Sequence, residues 1–190
     1  MILYIVISIA IFIIIFLEFL REKYKIEEIS KKSKEILDKY NEKKDEKILM
    51  EVLNIQKIFF QYFIITTIVT IIPLFYILSL SKPSFEIIDN TTLKLHNLYK
   101  NHEIAVYYEG RLLGIYKADE NAVLALDNEI TSKDIKLEVI VIKLPFKLPI
   151  FNKEWLSTFG SYLIFYFLLS FVSSIIKRIY KFIHKTRTNG

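Results

Sequence analysis

Residues 21–57, REKYKIEEISKKSKEILDKYNEKKDEKILMEVLNIQK, decide how this chain is read. The run is dense in Lys and Glu and is held between two hydrophobic segments, so it predicts a helical hairpin standing on a membrane. Ile26, Ile29, Ile36 and Tyr40 fall three, seven and four residues apart, with Ser33 at the missing step of a heptad. Asn41 to Glu46 interrupt the pattern, and Ile48, Val52, Ile55 and Phe59 resume it at spacings of four, three and four. Such a narrow apolar stripe cannot hold a lone charged helix, so the returning arm of the same chain is its expected partner across a coiled-coil seam.

Outward from the hairpin, the hydrophobic residues gather into blocks at 2–20, 58–80 and 158–176. At about 1.5 Å per residue each block covers roughly 30 Å of hydrocarbon. The expected fold is an α-helical integral membrane protein with three transmembrane helices, a cytoplasmic coiled-coil hairpin and a small extracytoplasmic all-β domain. Its parts run 1–20 (first span), 21–57 (hairpin), 58–80 (second span), 81–150 (β domain), 151–176 (interfacial lead-in and third span) and 177–190 (basic tail). No basic region precedes the first block and no small-residue cleavage site follows it, which distinguishes it from a signal peptide. Flanks of about 15 residues hold fifteen Lys and Arg on the hairpin and tail side, against five on the other. That asymmetry predicts a multi-pass cell-membrane protein with its N-terminus outside and its C-terminus in the cytoplasm.

Residues 81–150 read as short β-branched and aromatic runs at 84–88, 92–99, 103–108, 111–116, 122–126 and 135–144. Glu109 and Gly110 suggest a two-residue hairpin. About six strands suit a compact sandwich. Ten basic and eleven acidic residues over 82–157 leave the domain without the charge excess of a nucleic-acid binder. Leu144 to Phe151, with Pro145 and Pro149, predicts a rigid extended segment that no sheet interior would accept, lying along the outer interface with Trp155 anchoring the third span.

Enzymatic signatures are absent. The chain has no cysteine, and its four glycines, Gly110, Gly114, Gly160 and Gly190, make no phosphate cradle. His96, His102 and His184 stand at no metal-ligand spacing. No cofactor, metal or catalytic residue is expected. What remains is polarity at one depth: Glu18 in the first span, Gln61, Thr66, Thr67 and Thr70 in the second, and Tyr166, Ser170, Ser173 and Ser174 in the third. Converging, these residues would make a polar groove open to the cytoplasm; packed dry, they would be ordinary Ser/Thr contacts between helices. The sequence alone leaves both open. Pro73 is expected to loosen or kink the second span. Lys177, Arg178, Lys181, Lys185 and Arg187 form a tail without an acidic residue, suited to anionic membrane lipids or to the ribosome.

Three spans, a hairpin between the first two, Pro73 ahead of Phe75 and Tyr76, and Leu144-Pro145-Phe146-Lys147-Leu148-Pro149 with Trp155 before a third span ending Lys177-Arg178 resemble the archaeal YidC-like proteins. These belong to the Oxa superfamily of insertases, to which subunit 3 of the endoplasmic-reticulum membrane protein complex is related. The resemblance covers residues 1–80 and 144–180 and implies an ATP-independent insertase or membrane chaperone. Its clients would be newly made membrane proteins, and its coiled coil would receive them or dock a partner protein. Bacterial members carry a groove arginine, whereas no span here holds a basic residue, and Met50 is the hairpin's only methionine. The other reading is a noncatalytic scaffold joining a partner at the coiled coil to one at the β domain.

Overall fold

A computed structural model of the protein describes residues 1–43, 46–130, 134–148 and 153–188, with side chains for 1–40, 47–130, 134–148 and 153–180. Among the described residues the chain forms helices α1 (Ile2–Lys23), α2 (Ile26–Lys43), α3 (Glu46–Ser81) and α4 (Thr158–Thr188). Its strands are β1 (Phe85–Asp89), β2 (Thr92–Leu95), β3 (Glu103–Tyr108), β4 (Arg111–Lys117), β5 (Val123–Ala125), β6 (Ile135–Leu148) and β7 (Lys153–Ser157). Three stretches are long and apolar enough to cross a membrane, Ile2–Lys23, Lys47–Ser81 and Thr158–Tyr180, as in a multi-pass membrane protein. The chain divides into two compact units, one of Phe12–Pro73 and one of Met1–Ile11 with Leu74–Gly190.

In the unit Phe12–Pro73, α1 stops where Lys25 takes φ 48°, a left-handed conformation that ends a helix and redirects the chain. The first hairpin arm is therefore a helix separate from the first span. The second arm is not: α3 runs from Glu46 to Ser81 and carries the hairpin directly into the span, passing through Pro73 as helix. The least exposed side chains of the hairpin are Ile36 at 5 % and Ile55 at 9 %. Ile26, Ile29, Tyr40, Ile48 and Val52 are half-buried, while Leu37, Leu49, Met50 and Leu53 are exposed. Tyr24, at the end of α1, meets the Tyr62 ring edge-on at 5.9 Å. The expected interruption at 41–46 falls on residues whose side chains lie outside those described.

In the other unit, two antiparallel sheets order their strands β1-β2-β5 and β4-β3-β6-β7. Leu93 and Leu124 in the first sheet, and Ile104, Val106 and Val139 in the second, are fully buried. The β3–β4 turn has φ 49° at Glu109 and φ 78° at Gly110, the two positive angles of a type I′ hairpin. Gly114, paired with Val106, leaves room for the Tyr116 ring, which would lie 2.9 Å from an added Cβ.

The proline-bearing segment is a strand, contrary to the expectation of an extended lead-in. β6 continues through Pro145 to Leu148 and pairs with β7. The reason lies in the register: β3 covers only Ile135 to Ile140, so the far half of β6 has β7 alone as a neighbour. The ladder jumps from Lys143↔Trp155 to Leu148↔Lys153, and Pro145 sits in that irregularity, where no ladder donor is required. The β region thus extends to Ser157, where α4 begins. Pro149, Ile150 and Phe151 lie outside the described residues.

β7 is also held by side chains. Lys153 Nζ donates to Glu138 Oε2 at 2.5 Å, and the Tyr107 hydroxyl donates to the same oxygen at 3.1 Å. The ammonium lies 5.2 Å from the Tyr107 ring centroid and 5.7 Å from that of Trp155. Burial by itself pulls the Lys153 pKa down, but the hydrogen bonds and charge of Glu138 and Tyr107 outweigh it and hold it above the ordinary lysine value. Burial chiefly raises the Tyr107 pKa, so the phenol stays a donor. A raised lysine pKa stabilises the fold below the unfolded-state value, and that contribution is lost as pH rises through the folded-state value. Stability of the sheet should therefore not change through Lys153 between pH 6 and 9 and should fall only in strong alkali. The side chains are 31 % and 22 % exposed, so Glu138→Gln should cost about 1–2 kcal/mol, between an exposed and a fully buried pair. Thermal melts of the full chain in detergent measure it; Glu103→Gln, at the more exposed Lys143 pair, should cost less.

Candidate functional site

The polar residues expected to make a groove divide between the two units. Glu18, Gln61, Thr66, Thr67 and Thr70 belong to Phe12–Pro73. On α3, the Thr66 hydroxyl donates to the carbonyls of Tyr62 and Phe63, each at 2.9 Å. Thr70 does the same to Thr66 at 2.9 Å and Thr67 at 3.1 Å. Their donors are satisfied within the helix, leaving hydroxyl lone pairs as acceptors. Gln61 is exposed, and Glu18, Thr66, Thr67 and Thr70 are half-buried. The threonines recur along one stretch of α3 and form a locally polar surface on an otherwise apolar span.

Tyr166, Ser170, Ser173 and Ser174 lie on α4 in the other unit. Among the described side chains of this helix, burial is confined to the first turns, at Thr158, Ser161 and Tyr162. From 163 to 180 no residue is buried: Tyr166, Ser173 and Lys177 are half-buried, while Ser170, Ser174 and Arg178 are exposed. Phe167, Leu168, Phe171 and Val172, also exposed, present an apolar surface suited to lipid. Tyr162 and Tyr166 stack obliquely at 5.9 Å. Lys181, Lys185 and Arg187 lie on the same continuous helix, beyond the described side chains.

Sequence reasoning missed the start of this stripe. Thr158 precedes Tyr162 by four residues, Ser161 follows Thr158 by three, and both are fully buried. The polar periodicity traced from Tyr162 would have reached Thr158 one turn earlier. The Thr158 hydroxyl donates to the Leu80 carbonyl at 3.5 Å, and the buried Tyr99 hydroxyl reaches the same oxygen at 3.5 Å. A carbonyl at the end of α3, which has no intrahelical donor, is thereby joined to α4 and to the strand region. Ile2, Val6, Ala10, Ile77 and Leu80 are buried in this unit as well, so the helix ends nearest the sheets are its close-packed part.

No protein-family model matches the chain, and no curated protein or solved structure shows significant similarity to it. Among the described residues no group of His, Cys, Asp and Glu is arranged to hold a metal ion.

Proposed function

We propose that this protein is an insertase-like membrane chaperone of Oxa-superfamily type. The polar surface of α3 and that of α4 are each open to water from the cytoplasm, the α2–α3 hairpin lies in the cytoplasm, and the strands and N-terminus lie outside. These wet surfaces shorten the dry membrane path for a short polar terminus of a newly made membrane protein, while the apolar part of the client slides into lipid. Burial of that apolar surface drives the step without ATP.

The observation that carries this reading is the exposure of Ser170 and Ser174 in a stretch of α4 where nothing is buried. Dry packing of serines between helices would bury them. The exposed Leu37, Leu49, Met50 and Leu53 beside the hairpin seam suit transient capture of an apolar client before insertion. The same four residues would equally dock a fixed partner, which is the scaffold reading. The basic residues from Lys177 to Arg187 would hold anionic lipid, or the ribosome, at the membrane surface.

Water access separates the two readings. Single cysteines at Thr66, Thr70, Ser170 and Ser174 in this cysteine-free chain should react with an impermeant thiol reagent added from the hairpin side. Cysteines at Ile68 and Leu168, exposed but on apolar surface, should be protected by lipid. Protection of all six positions would leave the scaffold.

A further inference from the structure

A cleft of about 600 Å³ lies in the unit that contains the sheets. Its walls include Pro83, Phe85, Tyr107, Ile135 and Leu137, and Lys82, Lys136 and Lys153 stand around it against one carboxylate, Glu138. We propose that this cleft binds the headgroup of an anionic phospholipid, with the phosphate on the lysines and the upper acyl chain along the apolar wall. The proposal requires only that the chain spans a membrane, and is independent of the insertase reading.

Three observations point to that ligand. Ser81 ends α3 and Lys82 follows it directly, so the cleft borders the end of a span, and Lys153 opens the strand that leads into α4. A soluble ligand could bind anywhere on the sheets; a headgroup must sit at this level. Second, the lysines differ in preparation. Lys153 is held by Glu138 and Tyr107, whereas Lys82 and Lys136 are exposed and have no carboxylate partner among the described residues. Two uncommitted ammonium groups beside a fixed third suit a phosphate rather than a neutral headgroup. Third, the lining combines a predominantly apolar wall with a basic rim, and the volume lies in the range of small-molecule sites. Trp155, whose ring lies beside Lys153, is the kind of residue that sits at headgroup depth.

Native mass spectrometry of the full chain, released from detergent containing equal phosphatidylglycerol and phosphatidylcholine, tests the assignment. The wild-type chain should retain one more phosphatidylglycerol than Lys82→Ala/Lys136→Ala, with apparent affinity for that lipid at least about tenfold higher, a loss expected of two charge-assisted contacts. Basic residues of the tail supply a background common to both proteins, so the difference reads the cleft. Lys82→Arg/Lys136→Arg should keep the extra lipid, and unchanged Trp155 emission in all variants would report an intact fold. Equal adducts in wild type and the alanine variant, or equal retention of both lipids at the cleft, would overturn the proposal. So would displacement of the extra lipid by equimolar glycerol phosphate, which would make the ligand a soluble phosphate.

Discussion

Replacing Thr66, Thr67 and Thr70 by valine, and Ser170, Ser173 and Ser174 by alanine, should slow insertion of a single-span client with a short charged terminus by about 10- to 20-fold. A charge at mid-bilayer costs about 2.5–3.5 kcal/mol on insertion scales. Drying half of the path restores roughly half of that, and each 1.36 kcal/mol is about tenfold in rate. The fold should tolerate the change, because the Thr66 and Thr70 hydroxyls bond only to carbonyls of their own helix and Ser170 and Ser174 are exposed. Reconstitution into liposomes with protease protection of the client's terminus gives the rate. The same client with an uncharged terminus should insert at the wild-type rate. Equal slowing of both clients, or of neither, would remove these polar surfaces from the mechanism.

Ile104→Ala should be the most damaging single truncation in the strand region, at about 2–5 kcal/mol. Ile104 is fully buried on β3, the strand flanked by β4 and β6, where it pairs with Tyr116 and Val139. A loss of that size is comparable to the whole stability of many small domains. Ile115→Ala, on β4 and 42 % exposed, should cost less than about 1 kcal/mol. Limited proteolysis and thermal melting of the full chain in detergent compare the two. Similar losses would mean that the four-stranded sheet is not centred on β3.

The elements most legible in the sequence were those whose signal is local and repeated. Blocks of some 20 apolar residues announce the three spans, because hydrocarbon thickness admits little else. Among the described hairpin residues, Ile36 and Ile55, both at heptad positions, are buried, while Leu37 and Leu53, off that spacing, are exposed. The two-residue hairpin at Glu109 and Gly110 was readable from one glycine between two β-forming runs, and its type I′ angles come from the structure.

Pro145 was misread because a proline excludes a strand only where a ladder donor is needed, and whether one is needed depends on how far β3 reaches along β6. The buried face of α1, made by Ile2, Val6, Ala10, Ile13 and Leu20, was hidden for the opposite reason. A helix that is apolar all round has no periodicity to show which side meets protein. The break at Lys25 left no trace either, since a lysine with positive φ carries no residue signature of the kind glycine does.

By itself, then, the sequence determined the number of the apolar helices and the presence of a β region, both of which depend on neighbours within a few turns. Only the tertiary structure decided that β6 and β7 form one ladder into α4, that Thr158 and Tyr99 meet at the Leu80 carbonyl, and that Lys82, Lys136 and Lys153 share one cleft. Those lysines lie 54 and 17 residues apart along the chain. Their meeting depends on strand register and on where a helix ends, and residue spacing carries neither.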